Sequence, residues 1–386
     1  MNLALYRKYR PKTFGEITGQ EHVVKTLKNA VSHGMISHAY LFSGPRGCGK
    51  TTMARLLAKA INCEKPKQGE PCNECSACKE INLGSAMDLI EIDAASNRGI
   101  DEIRDLKEGV RFSPTKLKYK VFVIDEAHQL TKEAANALLK TLEEPPSHAI
   151  FILATTEIQR MIPTLASRCQ RFDFRKLRVP EMVTRLEGMV KKEGIEVEKD
   201  ALELLAHHAG GSLRDAEGLL DKVLTYSTGS RSTLSSPNGL TFHLGSGKKE
   251  KIQTEVVREL LGIVDVQIIG SFVELLLAKN PGKAIEFLNK NMEDGMDPQE
   301  FAKTLVEYLR ALLILKVNPA LEDMFAGPLT KEQQEKMKLQ ASVTNEELLS
   351  RAIKNFMEAE QKMKYSSIIQ LPLELAVIDS TSTDSV

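Results

Sequence analysis

The chain has 386 residues, 42% of them hydrophobic, and its 52 Lys and Arg balance its 52 Asp and Glu. This length predicts two or three domains, and the apolar content excludes a disordered chain. The sequence has no run of about 18 apolar residues and does not open with a secretory signal, so we expect a cytoplasmic protein without a membrane span. Because the charge is balanced, any nucleic-acid contact is expected to come from local patches or from several subunits facing inward. The absence of Trp argues against base-stacking platforms as the main binding device.

Residues 1–178 alternate short apolar strands with helical segments, which is typical of a parallel sheet covered on both faces. One helix is predicted over residues 131–144, because Thr131 can cap its start and Pro145 follows its end. Its apolar stripe is Leu138, Leu139 and Leu142. The predicted strands are 39–43, 88–93, 120–124, 150–155 and 171–174.

The remainder of the chain predicts helices and one linker. Residues 179–226 are helical by pattern, with a break at Gly210 and Gly211, and form a small second domain. Residues 227–250 are rich in Ser, Thr, Gly and Pro and are predicted to be a flexible linker. Residues 251–379 are again helical, with apolar faces that either close a bundle core or pack partly against neighbouring subunits. Residues 380–386 are expected to form a loose polar tail.

The most specific motif is GPRGCGKT at residues 44–51, which follows the apolar strand AYLFS and opens a helix. Backbone N–H groups and the helix N-terminus in such a loop bind phosphates. Lys50 would lie between the β- and γ-phosphates, and the Thr51 hydroxyl would bind Mg²⁺. The strand and helix on either side disfavour a chance Gly-rich turn. The predicted ATP-binding loop is Gly44, Pro45, Arg46, Gly47, Cys48, Gly49, Lys50, Thr51 and Thr52.

An acidic pair, Asp125 and Glu126, follows a second apolar strand in VFVIDEAH. The carboxyl ends of parallel strands meet at one edge of the sheet, so we expect this pair beside the phosphates. Asp125 would hold Mg²⁺, directly or through water, and Glu126 would act as the general base that polarises the attacking water. Such pairs are common after strands, and its place downstream of Lys50 favours the catalytic interpretation.

Three further positions each have two interpretations. Thr155 or Thr156, at the end of the strand FILATT, would contact the γ-phosphate or only cap the next turn. Arg168, in SRC, would reach a neighbouring subunit's γ-phosphate or form an ordinary ion pair. Arg214, in GSLRDA, would lie on the phosphates of the bound nucleotide or pair with a surface carboxylate.

Four of the six cysteines cluster in one loop, at Cys63, Cys72, Cys75 and Cys78. In a cytosolic chain this spacing indicates a metal site rather than disulfides. Four thiolates with two C-x-x-C steps suit a closed, structural Zn²⁺ site. An iron–sulfur cluster and four unligated thiols are the alternatives.

Together these motifs resemble the AAA+ ATPases and, within them, the bacterial clamp-loader gamma/tau family. The resemblance is carried by LYRKYRP at 5–11, by Phe14, Gly19 and Gln20, by the GPRGCGKTT, DEAH, LEEPP and SRC segments, and by the cysteine insert. It is close over residues 1–226 and looser over 252–379. It implies an α/β AAA+ P-loop parallel sheet over 1–178, with a zinc-binding insert at 62–80. A helical lid domain over 179–226 and an all-α collar domain for oligomerisation over 251–379 would follow.

The resemblance also assigns roles to individual residues. It implies ATP and Mg²⁺ binding by Lys50 and Thr51, hydrolysis by Asp125 and Glu126, and a finger in trans at Arg168. It further implies zinc on the four cysteines. The other ATP contacts that the resemblance implies are Thr155 as first sensor, Arg214 as second sensor, and Tyr9, Arg10 and Pro11 near the adenine.

DNA contacts are also implied by the resemblance, since the starts of certain helices face a central duplex in this family. The candidates are Arg98 and Arg104, expected on a helix after the second strand, and Lys132 at the start of the helix after DEAH. They would touch phosphates rather than bases. A solvated helix face is the alternative for each of them.

The function that the resemblance implies is that of an ATP-hydrolysing motor subunit in a DNA polymerase III holoenzyme. It would load the beta sliding clamp onto primed DNA as an oligomer, with delta, delta-prime and the polymerase core as partners and ATP, Mg²⁺ and Zn²⁺ as cofactors. The 227–250 linker is longer than is usual in this family. No tau-type extension follows residue 386, so a short gamma form or a shortened tau form is expected.

Two other functions compete with clamp loading. A different nucleic-acid-remodelling AAA+ motor, such as a branch-migration motor, shares these motifs but does not require the four-cysteine insert. A non-hydrolysing scaffold subunit like delta-prime keeps zinc, but the intact Lys50 and Glu126 count against it. A DEAH-type helicase is excluded, because no second RecA-like domain follows.

Overall fold

A computed structural model describes residues 4–96, 106, 108–229, 251–262, 264–324 and 331–382 of the chain. Its contacts divide the chain into two compact units, Met1–Thr225 and Tyr226–Val386. The first unit holds a parallel sheet with its helices. The second unit is helical throughout its described part.

The sheet of the first unit has, among the described residues, five strands in the order β2-β3-β4-β1-β5, and all neighbours pair in parallel. Each lies within one residue of a predicted strand at both ends. The carboxyl ends of β1, β3 and β4 therefore lie side by side. The strands are β1 (Ala39–Ser43), β2 (Leu89–Asp93), β3 (Lys120–Asp125), β4 (Ala149–Thr155) and β5 (Gln170–Asp173).

Both faces of this sheet are covered by helices, which explains why its central strands are continuous apolar runs. Tyr40 and Phe42 of β1 point into one core, together with Val23 and Met53, whereas Leu41 points into the opposite core. The predicted α/β fold class is confirmed. The α-helices with described bounds in the first unit are α1 (Leu5–Lys8), α2 (Glu21–Ser32), α3 (Lys50–Ile61), α4 (Ser76–Leu83), α5 (Lys132–Glu143), α6 (Pro163–Ala166), α7 (Val179–Glu193), α8 (Lys199–His208) and α9 (Leu213–Gly229), of which the residues up to Thr225 belong to this unit.

Helix α5 forms as the sequence predicts. The Thr131 hydroxyl caps it by accepting a hydrogen bond of 3.2 Å from the backbone N–H of Ala134. Leu138 and Leu142 are buried against the sheet, and Leu139 is half-buried at the edge of the same stripe.

The junction between β5 and α7 is held by one carboxylate. Glu181 accepts hydrogen bonds of 2.6 and 2.9 Å from the Arg175 guanidinium and one of 2.8 Å from the backbone N–H of Arg178. The hydrogen bonds from Arg175, and then those from Arg178, hold the pKa of Glu181 at about 2. The buried Gln20 fixes the same junction, because its side chain exchanges two hydrogen bonds with the Arg175 backbone.

The second unit packs its helices around a shared apolar core. Phe272 lies edge-on to Phe301 and Phe356 at its centre, with ring centroids 5.0 and 6.2 Å away, and all three rings are fully buried. The helices are α10 (Thr254–Leu261), α11 (Val266–Leu277), α12 (Pro281–Glu293), α13 (Pro298–Val317), α14 (Lys331–Val343), α15 (Glu346–Met363) and α16 (Leu371–Thr381).

Two predicted boundaries differ from the structure. Helix α9 continues to Gly229, past the predicted start of the linker, and residues 230–250 lie outside the described residues. Ser380 and Thr381, predicted to begin the tail, lie inside α16 and are buried. The Thr381 hydroxyl donates to the Val377 carbonyl at 2.8 Å, and Ser380 accepts from Asn355 at 3.1 Å, so both polar groups are satisfied within the fold.

None of the described helices is by itself long and apolar enough to cross a membrane. One bent pair, Thr254–Leu261 with Val266–Leu277, meets the length and composition criteria together.

We predict that Glu181→Gln lowers the free energy of unfolding by about 1–3 kcal/mol at pH 7, because it removes charged hydrogen bonds at the junction. The folded pKa is depressed, so this contribution is present above about pH 4.5 and is lost as the pH falls towards 2. Urea unfolding across this pH range measures the effect, with the exposed Glu187→Gln on α7 as the control. If the free energies of unfolding of wild type and Glu181→Gln differed as much at pH 2.5 as at pH 7, the assignment would be contradicted.

Candidate nucleotide and metal sites

The GPRGCGKT loop connects the end of β1 to the start of α3, as the sequence predicts. Its glycines take backbone angles that other residues disfavour, with φ of 75° at Gly47 and 101° at Gly49. The buried Lys50 ammonium lies inside the loop and donates to the Gly44 and Pro45 carbonyls at 2.7 and 2.8 Å. The N-terminus of α3 and a cation are thus placed together where phosphates would bind.

The start of helix α9 touches this loop directly. The backbone N–H of Leu213, at the start of α9, donates to the Gly47 carbonyl at 3.2 Å. A Cβ at Gly47 would lie 1.9 Å from the Ser212 hydroxyl, so this contact requires glycine. The loop and α9 consequently form two sides of one site.

Thr51 and Asp125 meet across the sheet edge. The Thr51 hydroxyl donates to Asp125 Oδ2 at 2.7 Å, although the two residues come from different elements. A hydroxyl and a carboxylate are oxygen ligands that suit Mg²⁺. This contact brings together the two residues that the sequence predicts as its ligands.

Glu126 lies beside them, and its carboxylate is held by the end of β4. Both the hydroxyl and the backbone N–H of Thr156 donate to Glu126 Oε2, at 2.8 and 3.3 Å. Glu126 itself has a φ of 48°, in the left-handed region, so its side chain leaves the strand at an unusual angle. Thr156 is therefore the residue that fixes the predicted general base.

Thr155 points elsewhere. Its fully buried hydroxyl lies 3.0 Å from Nδ1 of His128 and accepts from the backbone N–H of Glu157 at 3.1 Å. The His128 ring also lies 3.5 Å from Glu126 Oε2 and 3.3 Å from Glu157 Oε1. Sequence reasoning gave no role to His128 or Glu157. The His at the end of DEAH was the feature of the sequence that could have pointed to this contact.

The two predicted arginines are both placed at the surface of the first unit. Arg168 is partly exposed, pairs with Glu143 at 2.5 Å and donates to the Thr164 carbonyl at 2.7 Å. Arg214 is exposed on the first turn of α9, and its guanidinium carbon lies 5.1 Å from the centroid of the Tyr6 ring. The described contacts of Arg168 are with Glu143 and Thr164, and that of Arg214 is with Tyr6; in the part of the chain that the structure describes, none of these is in the phosphate loop.

The N-terminal segment is joined to the lid rather than to the phosphate loop. The Tyr9 hydroxyl donates to Glu193 at 2.7 Å, and Arg185 donates to the Tyr9 carbonyl. Arg185 also lies 3.6 Å from the carboxylate of Glu217, which is buried. Burial raises the pKa of Glu217 to about 7, although the nearby Arg185 acts to lower it. Arg10 and Pro11 are half-buried next to Tyr9, and Arg185 and Glu193 are contacts that the sequence did not reveal.

Of the three DNA-contact candidates, Lys132 is the one that lies among the described residues. Lys132 is exposed at the first position of α5, as predicted. Arg98 and Arg104 lie outside the described residues.

The remaining residues of the predicted ATP-binding loop include Arg46, which is exposed, and Thr52, which is half-buried.

The four clustered cysteines converge on one point. Their sulfur atoms all lie within 4.8 Å of one another, and those of Cys72 and Cys78 are 4.0 Å apart. Sulfurs bound to tetrahedral Zn²⁺ at about 2.3 Å would be about 3.8 Å apart, so this donor set fits the ion. Cys48 and Cys169 lie outside this cluster.

Backbone N–H groups favour the thiolate form, the form that binds a metal ion, at one of these sulfurs. Cys72 Sγ accepts from the N–H groups of Glu74 and Cys75 at 3.5 and 3.4 Å, and these bonds lower the pKa of Cys72 to about 6. Burial raises the pKa of Cys63 and Cys78, whose thiolates would therefore need a bound cation.

The comparisons with known proteins agree with this geometry. Three family models match consecutive segments: "DNA polymerase III, delta subunit" over residues 19–178, "DNA polymerase III clamp loader subunit, ATPase lid domain" over 181–229, and "DNA polymerase III subunits gamma and tau domain III" over 252–385. The chain is 41% identical to DNA polymerase III subunit tau of Bacillus subtilis, over 98% of this chain and 63% of the relative. It is 33% identical to subunit gamma of Buchnera aphidicola subsp. Acyrthosiphon pisum, over 97% of both chains. The chain belongs to the DNA polymerase III gamma/tau family.

The chain spans less than two thirds of the length of several relatives. The chain spans 63% of the Bacillus relative and 61% of the gamma/tau subunit of Mycobacterium tuberculosis H37Rv, to which it is 35% identical over 97% of its own length. Among solved structures, the RuvB branch migration motor of Thermotoga maritima aligns with a TM-score of 0.46 and 22% identity, over 69% of this chain and 80% of that one.

We predict that Thr156→Val slows ATP hydrolysis roughly tenfold or more, with little change in ATP affinity, because the general base loses its hydroxyl contact. Thr156→Ser is the matched control, since it keeps the hydroxyl. Steady-state kinetics gives kcat and KM for both variants. A Thr156→Val rate equal to wild type, or a Thr156→Ser rate as low as that of Thr156→Val, would contradict the assignment.

We also predict that the purified protein carries about one zinc per chain. Cys75→Ser should lose the zinc and lower stability far more than it lowers the hydrolysis step. The controls Cys48→Ser and Cys169→Ser should retain zinc. Elemental analysis decides the matter: no metal, or iron with a visible charge-transfer band, would count against the zinc site.

Proposed function

We propose that this chain is the ATP-hydrolysing motor subunit of a DNA polymerase III clamp loader. The observation that carries the proposal is the 2.7 Å contact between Thr51 and Asp125, with Lys50 and Glu126 beside it. A subunit that had lost hydrolysis would not need to keep these four groups together at one sheet edge. Membership of the gamma/tau family supports clamp loading as the process that this ATP hydrolysis drives.

The proposed chemistry follows from the placement of these groups. Mg²⁺, when bound, would neutralise charge on the β- and γ-phosphates. Thr51 and Asp125 would hold the ion, and Lys50 would bind the same phosphates. Glu126, oriented by Thr156, would accept the proton of the attacking water. Contact between the phosphate loop and α9 would make lid position depend on the nucleotide.

The partners proposed for the chain come from the family. Its relatives are named as gamma and tau subunits of DNA polymerase III, and one matching model is named for a clamp loader subunit. We propose delta and delta-prime subunits, a beta sliding clamp, primed DNA and the polymerase core as partners, in the cytoplasm. The helical region 251–379 would join the subunits, and 1–178 and 179–226 would act as motor and lid.

A scaffold role remains the second candidate, because the model that matches residues 19–178 is named for the delta subunit. The intact phosphate loop and the Glu126–Thr156 contact argue against it. A subunit that only supports its neighbours would gain nothing from a positioned general base.

The ATPase rate, measured with and without sliding clamp and primed DNA, tests the proposed function. We expect the assembled protein to be stimulated most by clamp and primed DNA together. Lys50→Ala should abolish ATP binding, whereas Glu126→Gln should bind ATP but hydrolyse it orders of magnitude more slowly. Stimulation by a four-way junction and not by the clamp would indicate another AAA+ motor.

Arg168 is proposed to act on the nucleotide of a neighbouring subunit. Arg168→Ala should bind ATP normally and lose about 10³–10⁵ in hydrolysis rate, the range known for fingers in trans. Mixing it with Glu126→Gln should restore part of the rate, because some interfaces then pair an intact Glu126 with an intact Arg168. Glu143→Gln, which removes only the ion pair within the chain, is the control and should retain activity.

Two results would refute the trans role of Arg168. One is no rescue in mixtures whose assembly is confirmed by light scattering. The other is a loss of activity in Glu143→Gln as large as that in Arg168→Ala, since the ion pair would then explain the effect.

A further inference from the structure

Lys59 is a buried cation on the helix that begins at the phosphate loop. It lies on α3, nine positions after Lys50, and is 2% exposed. Its ammonium donates three hydrogen bonds, to the Lys12 carbonyl at 2.7 Å, to Asn73 Oδ1 at 2.7 Å and to Asn82 Oδ1 at 2.8 Å. All three of its protons are therefore satisfied, which is what a buried ammonium requires.

The three acceptors come from three parts of the first unit. Asn73 lies between Cys72 and Cys75 in the cysteine loop, and Asn82 is on α4, which begins directly after Cys75. Lys12 belongs to the N-terminal segment. One side chain thus joins the phosphate-loop helix, the cysteine centre and residues 12–16.

The charges around Lys59 match this arrangement. Burial is the largest influence on its pKa and lowers it, whereas the Cys78 and Glu16 side chains raise it. No carboxylate pairs with its ammonium among the residues that the structure describes. Four thiolates with one Zn²⁺ carry a net charge of 2 − 4 = −2, so a metal-bound centre would supply the negative charge that this buried cation lacks.

A second contact holds the same N-terminal segment to the cysteine loop. Glu70, which lies between Cys63 and Cys72, accepts hydrogen bonds from the backbone N–H groups of Phe14 and Gly15 at 2.7 and 3.1 Å. Its carboxylate also pairs with Lys28 at 2.9 Å. Residues 12–16 are therefore attached to the cysteine loop at two places, by Lys59 and by Glu70.

We propose that Lys59 is a positioning residue through which the metal-bound cysteine centre holds residues 12–16 against the phosphate-loop helix, so that metal binding and nucleotide binding favour each other. Residues 12–16 continue directly from Tyr9, Arg10 and Pro11, the segment that the resemblance described above implies to lie near the adenine. The inference rests on the proposed zinc and ATP sites. The coupling is reciprocal: nucleotide must raise metal affinity by the factor by which metal raises nucleotide affinity.

The experiment uses the full chain loaded with zinc. Lys59→Met keeps the apolar stem and removes the charge, and Lys79→Met, on the exposed face of α4, is the matched control. Zinc affinity is measured by competition with a chelator, with and without ADP. We expect Lys59→Met to weaken zinc binding about tenfold, the lower end of the range for residues that support metal ligands, because Lys59 reaches the cysteine loop only through Asn73 and Asn82. The ADP effect should be abolished.

Two further readouts separate this role from a general loss of stability. Hydrogen exchange at the Phe14 and Gly15 amides should rise in Lys59→Met and in metal-stripped wild type, but not in Lys79→Met. ADP affinity should fall in the same two samples. If Lys59→Met does not fold, Asn73→Gly replaces it. Asn73 has a φ of 61°, which glycine adopts readily, so this variant removes one acceptor without backbone strain.

The outcomes distinguish this inference from the function proposed above. Zinc affinity in Lys59→Met equal to that in Lys79→Met overturns it, as does unchanged protection of residues 12–16 in metal-stripped protein. Zinc affinity that ADP leaves unchanged in wild type, while ADP binds, overturns the coupling. A chain that binds no nucleotide refutes the ATP site, and with it the coupling, while the zinc and exchange measurements still decide the positioning role.

Discussion

The hydrogen bond between Thr51 and Asp125 is the interaction on which the candidate site depends. It forms because β1 and β3 are parallel strands separated only by β4, so their carboxyl ends open onto the same edge of the sheet. β4 ends between them and supplies Thr156, which holds Glu126. The arrangement of the site is therefore a consequence of strand order. A change that displaces one of these three strands would move Asp125 and Glu126 away from the phosphate loop.

Other parts of the first unit reach this edge through a few polar contacts. Glu181 and Gln20 fix the turn into the lid, and Leu213 brings α9 onto Gly47 of the phosphate loop. From the opposite end of α3, Lys59 reaches the cysteine loop. The phosphate-loop helix thus links two features that look independent in sequence, the candidate nucleotide site at its start and the candidate metal site near its end.

The sequence predicted well what local patterns determine. Apolar runs located the strands to within one residue, and the spacing of Cys63, Cys72, Cys75 and Cys78 located the sulfur cluster. It failed where a side chain's partner is distant in the chain. Lys59 resembled any helical lysine, and only the fold shows it buried against Asn73. From the residues alone, Thr155 and Thr156 could not be separated, because consecutive residues of an extended segment point to opposite faces and only the fold decides which hydroxyl meets Glu126.

The most direct test of this account is a double-mutant cycle on Thr51 and Asp125, with Mg²⁺-dependent ATP affinity as the readout. ATP binding is measured with and without Mg²⁺ for wild type, Thr51→Val, Asp125→Asn and the double variant. If the two residues hold one cation, each single change removes most of the gain that Mg²⁺ gives, and the double change removes little more. Losses that simply add, or an undiminished Mg²⁺ effect in either single variant, would show that these residues do not share an ion at the sheet edge.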